Sequence, residues 1–164
     1  MAAEIAELVM RGVAETRNLA RGLMPVQIGD AGLCAALQEL AESSSRLLET
    51  ECTFEAFGPE IGHDDTCAIH LFRIAQEAIS NATRHGKARH IELCLSANEH
   101  AITLSVADDG LGMSQTCGNS RGMGISIMRY RANVIGGELS IEDRMPYGTI
   151  VCCTARPRRE GASS

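Results

Sequence analysis

Glu77, Asn81 and His85 stand four residues apart in EAISNATRHGKA, residues 77–88, so on a helix they stack along one side. Asparagine is a poor interior helix residue because its amide competes for backbone hydrogen bonds, so its place in a good apolar helix calls for a reason. The same segment carries an apolar stripe of Ala68, Leu71, Ala75, Ala78, Ile79 and Ala82, and the polar row runs along its margin. Such a row either lines a cleft or forms a partly exposed helix face, and the segment alone leaves both open. Two more stretches carry chemistry. VADDGLGM, 106–113, ends an apolar strand with Asp108 and Asp109 and continues with Gly110 and Gly112. Glycines let a backbone turn through positive φ and approach a ligand, and an acid facing inward at a strand end needs a donor. An ordinary turn has the same pattern. In RGMGISIMRYRANVIGG, 121–137, Gly122-Met123-Gly124 opens a helix, where unpaired N–H groups and the helix dipole favour phosphate. The stretch is neither a Walker loop nor a G-x-G-x-x-G fingerprint.

The elements that must position these residues follow from periodicity and breakers. Residues 3–23 place Ile5, Leu8, Val9, Val13, Leu19, Ala20 and Leu23 at helical spacing, ended by Pro25, which suits a helical arm or bundle seam. DAGLCAALQELAE, 30–42, predicts a second helix with Asp30 as N-cap, and ECTFEAF, 51–57, alternates as a strand. A long helix spans 64–86, with Asp64 and Asp65 at its start and Gly86 as its stop. Strands at 88–97 and 100–108 meet at Asn98-Glu99. A helix to about Ile135 follows, then strands ELSIED, 138–143, and TIVCCTA, 149–155, around a turn at Pro146-Tyr147-Gly148. The expected fold is α+β, a sandwich of a mixed, mostly antiparallel sheet with helices on one face. The expected units are a helical arm (1–24), a connector helix (25–48), the main domain (49–156) and a disordered tail (157–164).

Bulk composition limits the function classes. The 164 residues carry a net charge of −6 with no basic run, which argues against direct nucleic-acid binding. No apolar run reaches the length of a membrane span, and no secretory signal opens the chain. Seven scattered cysteines without C-x-x-C spacing read as small buried hydrophobes in a reducing cytosol, with a metal or redox role at Cys117 as the lesser reading.

In order and residue type, the three stretches resemble the ATP-binding domain of the GHKL superfamily of histidine kinases, gyrase-type ATPases, chaperone ATPases and mismatch-repair ATPases. EAISNATRHGKA is similar to its N-box, DDGLG to its first glycine box, GMGISIMRYRANVIGG to its second, and YGT, 147–149, to its late Gly-Thr. N-x-x-x-H-x-x-A followed by G-x-G-I-x-x-M-x-x-R resembles histidine kinases of the nitrate-sensor class. LARGLMPVQIGDAGLCAALQELAE, 19–42, is similar to the end of that class's dimerisation helices and their connector. The resemblance implies a cytoplasmic ATP-binding catalytic domain that transfers the γ-phosphoryl group to a histidine for relay to a response regulator with a helix-turn-helix output domain. It implies a homodimeric full-length protein, with ATP and Mg²⁺ as cofactors.

Carried onto this chain, the resemblance makes Glu77 the general base or polarising acid and gives Mg²⁺ the Asn81 amide oxygen. His85 and Lys87 would approach the phosphates, and Asp108 would accept the adenine exocyclic N–H. Gly110 and Gly112 would let the chain pass close to the base, and Gly122, Met123, Gly124 and Ile125 would form the phosphate segment. Thr149 would support the adenine. MSQTCGNSR, 113–121, would be a mobile lid lacking the phenylalanine motif of some histidine kinases. The class carries its reactive histidine in a first dimerisation helix, whereas residues 1–24 resemble the second, so the acceptor is expected on a missing helix or a partner subunit. His63-Asp64 mimics the acceptor pair but reads as capping, and His70, His90 and His100 read as ordinary helix or strand-face residues. Alternatives are a serine kinase of the anti-sigma-factor type and a non-catalytic module that keeps the fold.

Overall fold

The computed structural model describes residue 28 and residues 32–59, 65–113 and 121–156. The expected arm at 1–24, the capping Asp30 and Asp64, His63, most of the lid and the tail lie outside these residues.

Three helices and five strands alternate along the described chain. They are α1 (Gly32–Leu48), β1 (Glu51–Phe57), α2 (Asp65–Arg84), β2 (His90–Ala97), β3 (Ile102–Asp108), α3 (Arg121–Val134), β4 (Glu138–Asp143) and β5 (Thr149–Ala155). The strands form one sheet in the order β1-β2-β3-β5-β4. β1 and β2 are parallel because α2 lies between them as the crossover, while the hairpin-linked neighbours run antiparallel. Asn98 makes the β2–β3 turn, its Oδ1 accepting the N–H groups of His100 and Ala101, both at 2.9 Å.

Strand parity assigns the two faces. Ile91, Leu93 and Leu95 of β2, Ile102, Leu104 and Val106 of β3, and Val151 and Cys153 of β5 are buried beneath the helices. The central α2 buries all six residues of its expected stripe, and Arg73 besides, whose guanidinium donates to Gln76 Oε1 at 2.9 Å. Burial, with the positive charge of Arg131 adding, lowers the pKa of Arg73. Cys52, Cys67 and Cys153 are buried thiols, and the six described cysteines are unbridged. Burial pushes Cys153 up to about 12 and Cys52 to about 11, so both stay protonated packing groups.

The pattern at 30–42 covers most of α1, which continues to Leu48 because Ser44 is buried on its inner face and Ser45 ties its last turn to the sheet. Ser45 Oγ accepts the Cys52 N–H at 2.9 Å and donates to the Cys52 carbonyl at 3.2 Å. Leu33, Leu37 and Ala41 place this helix in the same core as the sheet. α2 ends at Arg84 with Gly86 just past it, and the left-handed residue of this stop is Lys87, at φ 51°. The last turn widens, with Gly86 N–H donating to Asn81 O at 3.1 Å and Ala88 N–H to Ala82 O at 3.0 Å. Gly86 serves close packing instead, since a Cβ there would lie 2.7 Å from Ala82 O.

Candidate functional site

A cleft opens between α2, α3 and strands β3, β4 and β5. Each element contributes by its own periodicity. From α2 come Ala78, Asn81 and Ala82, one stripe edge, with Gly86 just past the helix end. Ile125 and Met128 reach in from α3, and Asp108, Ile141, Thr149 and Val151 rise from the sheet. The wall is therefore mostly apolar with few polar groups, the usual build of a small-molecule site.

Asp108 has the parity of Ile102, Leu104 and Val106, so it is the last inward-facing residue of β3 and only 7% exposed. A carboxylate there is costly unless donors meet it. Its Oδ1 accepts the Gly110 N–H at 2.8 Å. Carried one step past Ala107↔Ile150, the register sets Thr149, also buried, beside Asp108. The turn that follows is tied down at its centre and end. Leu111 N–H donates to Gly86 O at 2.9 Å, and Met113 N–H to Asp143 Oδ1 at 2.5 Å. A Cβ on Gly110 would fall 2.5 Å from Gly86 O, and Gly148 (φ +108°) passes so close to Asp108 O that only glycine fits. These approaches, rather than the turn itself, explain the glycines.

At the other end of the cleft Gly124 of α3 lies against α2. A Cβ on Gly124 would collide with Glu77 Oε1 and come within 3.3 Å of Asn81 Nδ2. The helices thus close over the two side chains that the N-box spacing singled out. Glu77, Asn81 and His85 are all half-buried, as expected of a row on the stripe's margin. Among the described residues no three His, Cys, Asp or Glu side chains gather to hold a metal. An amide oxygen with one nearby carboxylate is instead a donor set suited to magnesium, which keeps most of its ligands as water and phosphate oxygens.

The structure brings together Glu77, Asn81, Asp108, Gly110, Gly124, Ile125 and Thr149 around the cleft, with His85 at its helix end. Gly112 lies beside it, its would-be Cβ 2.9 Å from Asp143 Oδ1. Lys87 is exposed and not among the lining residues, Met123 is 72% exposed, and Gly122 faces open space. Sequence reasoning missed Met128, Ile141 and Asp143. The 125–128–132 spacing on α3 and the alternation of β4 carried the first two, but nothing local marked Asp143. His90 also departs from the ordinary strand-face role. Its ring bridges Asp109 and Glu51 at 2.7 and 3.2 Å.

The family model described as histidine kinase-, DNA gyrase B-, and HSP90-like ATPase matches residues 66–159, more than half of the chain. The chain belongs to this ATPase family. Within the family, the relatives it resembles are sensor histidine kinases. It is similar to the signal transduction histidine-protein kinase/phosphatase DegS of Brevibacillus brevis, 26% identical over 90% of this chain and 38% of that protein. The nitrate/nitrite sensor protein NarX of Escherichia coli K12 is 36% identical over 56% of this chain and 15% of its own length. The sensor histidine kinase LiaS of Bacillus subtilis is 33% identical over 75% of this chain and 34% of its own. The chain therefore spans less than two fifths of each of these relatives. Among solved structures, the ATP-binding domain of PrrB from Mycobacterium tuberculosis has the same fold. It has a TM-score of 0.57 and 17% identity over 78% of this chain and 96% of that one. Among the described residues of this family member, no helix is long and apolar enough to cross a membrane.

Proposed function

We propose that the cleft binds ATP with magnesium and that the domain transfers the γ-phosphoryl group to a histidine on a phosphoacceptor helix of the full-length protein or of a partner subunit. Relay to an aspartate of a response regulator with a helix-turn-helix output domain would follow, in a homodimeric, cytoplasmic kinase assembly. The observation that carries this reading is the buried Asp108 carboxylate on the floor of a mostly apolar cleft. An acceptor in that place pairs with the exocyclic N–H of adenine, whereas guanine presents an oxygen there. Leaving a buried polar group unpaired costs about 1–3 kcal/mol, so adenine is preferred roughly ten- to hundredfold.

The remaining residues follow the length of the nucleotide. Gly110 and Gly112 keep the backbone clear of the base, and Thr149 supports the base beside Asp108. Ile125 and Met128 pack its apolar surface. Gly124 keeps the start of α3 close to Glu77 and Asn81, where Gly122 and Gly124 would present N–H groups to phosphate oxygens. His85 and Lys87 add donors at the end of α2. The Asn81 amide oxygen would hold magnesium, which when bound offsets the negative charge of the phosphates. Glu77, one turn earlier, would polarise the attacking imidazole nitrogen of the acceptor histidine.

Calorimetric titration of ATP, ADP and GTP, with and without magnesium, on wild type and Asp108→Asn tests the reading. Adenine-selective binding weakened about ten- to hundredfold by the substitution is expected. A folded wild type that binds none of the three would overturn it. Mass spectrometry after incubation with ATP tests the acceptor, and stable phosphate on His63 would move the acceptor onto this chain.

A further inference from the structure

Three side chains on the far face of the sheet have no part in that chemistry. Glu51 pairs with His90 across β1 and β2, and Ile91 with Asp108 across β2 and β3. One step past that pair, Asp109 stands opposite His90, so three neighbouring strands place acid, imidazole and acid in one row. The row lies on the face of the sheet away from the helices, where Asp109 points because Asp108 points inward. Asp109 Oδ1 accepts the backbone N–H groups of Arg89 and His90 at 2.8 and 2.9 Å. Asp109 Oδ2 meets His90 Nδ1 at 2.7 Å, and His90 Nε2 meets Glu51 Oε2 at 3.2 Å. The Asp109 N–H completes the junction by donating to His90 O at 3.2 Å.

We propose that the Glu51–His90–Asp109 row is a proton-sensitive clamp that positions the Asp108–Gly110 turn, so that the domain holds adenine nucleotides more tightly when His90 is protonated. The inference rests on Asp108 being the adenine contact. Asp108 and Asp109 are consecutive, and whatever fixes one fixes the other. On the cleft side the turn is tied to the end of α2 through Leu111 and Gly86, and on the open side Asp109 ties it to the start of β2. Positive charge on His90 strengthens the second tie from both of its carboxylate neighbours.

The direction with pH follows from the groups that face His90. The hydrogen bond that His90 donates to Asp109 raises the His90 pKa above its ordinary 6.5, the charges of Asp109 and Glu51 add to it, and burial and Arg89 oppose it. Glu92, two residues along the same face, is engaged by Arg144 at 3.0 Å. The clamp is therefore complete below pH 6.5 and weakens as pH rises through the raised value. His90 and Asp109 are solvent-exposed, which caps the change in affinity at about fivefold.

Calorimetric dissociation constants for ADP with magnesium at about pH 6 and about pH 9 test the clamp on the full chain, His90→Gln and Asp109→Asn. Taking the ratio of variant to wild type at each pH cancels the titration of ADP itself. Both variants should bind about two- to fivefold more weakly at the lower pH and equally at the higher, and the double variant should match the singles. A ratio that does not change with pH overturns the clamp. An NMR titration of the His90 ring in the wild type adds an arm free of folding defects. By reciprocity its midpoint should rise by about 0.3 to 0.7 when ADP saturates the site, and an unmoved midpoint overturns the proposal. A folded wild type that binds no ADP at either pH removes the nucleotide reading and the clamp together, whereas binding with a flat ratio removes only the clamp.

Discussion

At the scale of single residues, neighbours of the same type do opposite work. Asp108 and Asp109 differ by one step of a strand, which turns one into the cleft and the other outward. Burial pushes Asp109 up, but the hydrogen bonds from His90 and Arg89 outweigh it and hold its pKa at about 2. A carboxyl lowered in this way contributes stability above its unfolded value near 3.8 and loses it as pH falls toward 2. The difference in melting temperature between wild type and Asp109→Asn should therefore narrow across that window, as circular dichroism melts at stepped pH would show. The glycines of the second box divide as sharply. Gly124→Ala forces the Glu77 carboxylate aside, a cheap shift for the end of a flexible side chain that the gain in helix propensity offsets, so stability should change by less than about 1 kcal/mol in a urea titration. Magnesium-dependent ATP affinity should fall all the same. Gly122→Ala meets open space inside a helix and should gain about 0.5–1 kcal/mol in the same titration.

At the scale of elements, α2 and α1 show what a periodic pattern can and cannot convey. The α2 stripe was legible because six apolar residues at three-and-four spacing admit one buried face, and the polar row on its margin then had to sit at a boundary. Gly86 marked the α2 stop, but that Lys87 takes the left-handed conformation was not legible, because it follows from the close approach of Gly86 to Ala82 O. In α1 the run Ser43-Ser44-Ser45 is weakly helix-forming, since serine favours caps and turns, yet the helix runs through it to Leu48, with Ser45 bonded to Cys52 in β1. Ser45→Ala should cost about 1–2 kcal/mol through that lost pair. Leu37→Ala, at a fully buried position, should cost about 2–5 kcal/mol by urea denaturation. A near-zero cost would mean that α1 is an appended connector rather than a layer of the core.

At the scale of the whole molecule, binding and folding are linked. ATP at about a hundredfold excess over its dissociation constant should stabilise the domain by about 2.7 kcal/mol. For a chain of this size that corresponds to a rise in melting temperature of about 5–10 °C. A chelator should reduce the rise, and GTP or Asp108→Asn at the same concentration should cut the stabilisation to about 0.4–1.4 kcal/mol, as differential scanning fluorimetry would read. The sequence by itself determined the element order, the buried stripe of α2 and the three chemistry-bearing stretches, because these are properties of spacing within one segment. Sheet register was needed to set Glu51, His90 and Asp109 in one row. The approach of α3 to α2 was needed to press Gly124 onto Glu77, and the β4–β5 hairpin to bring Asp143 to Met113. Those juxtapositions join residues dozens of positions apart, and no local pattern encodes a distance that only packing of the core fixes.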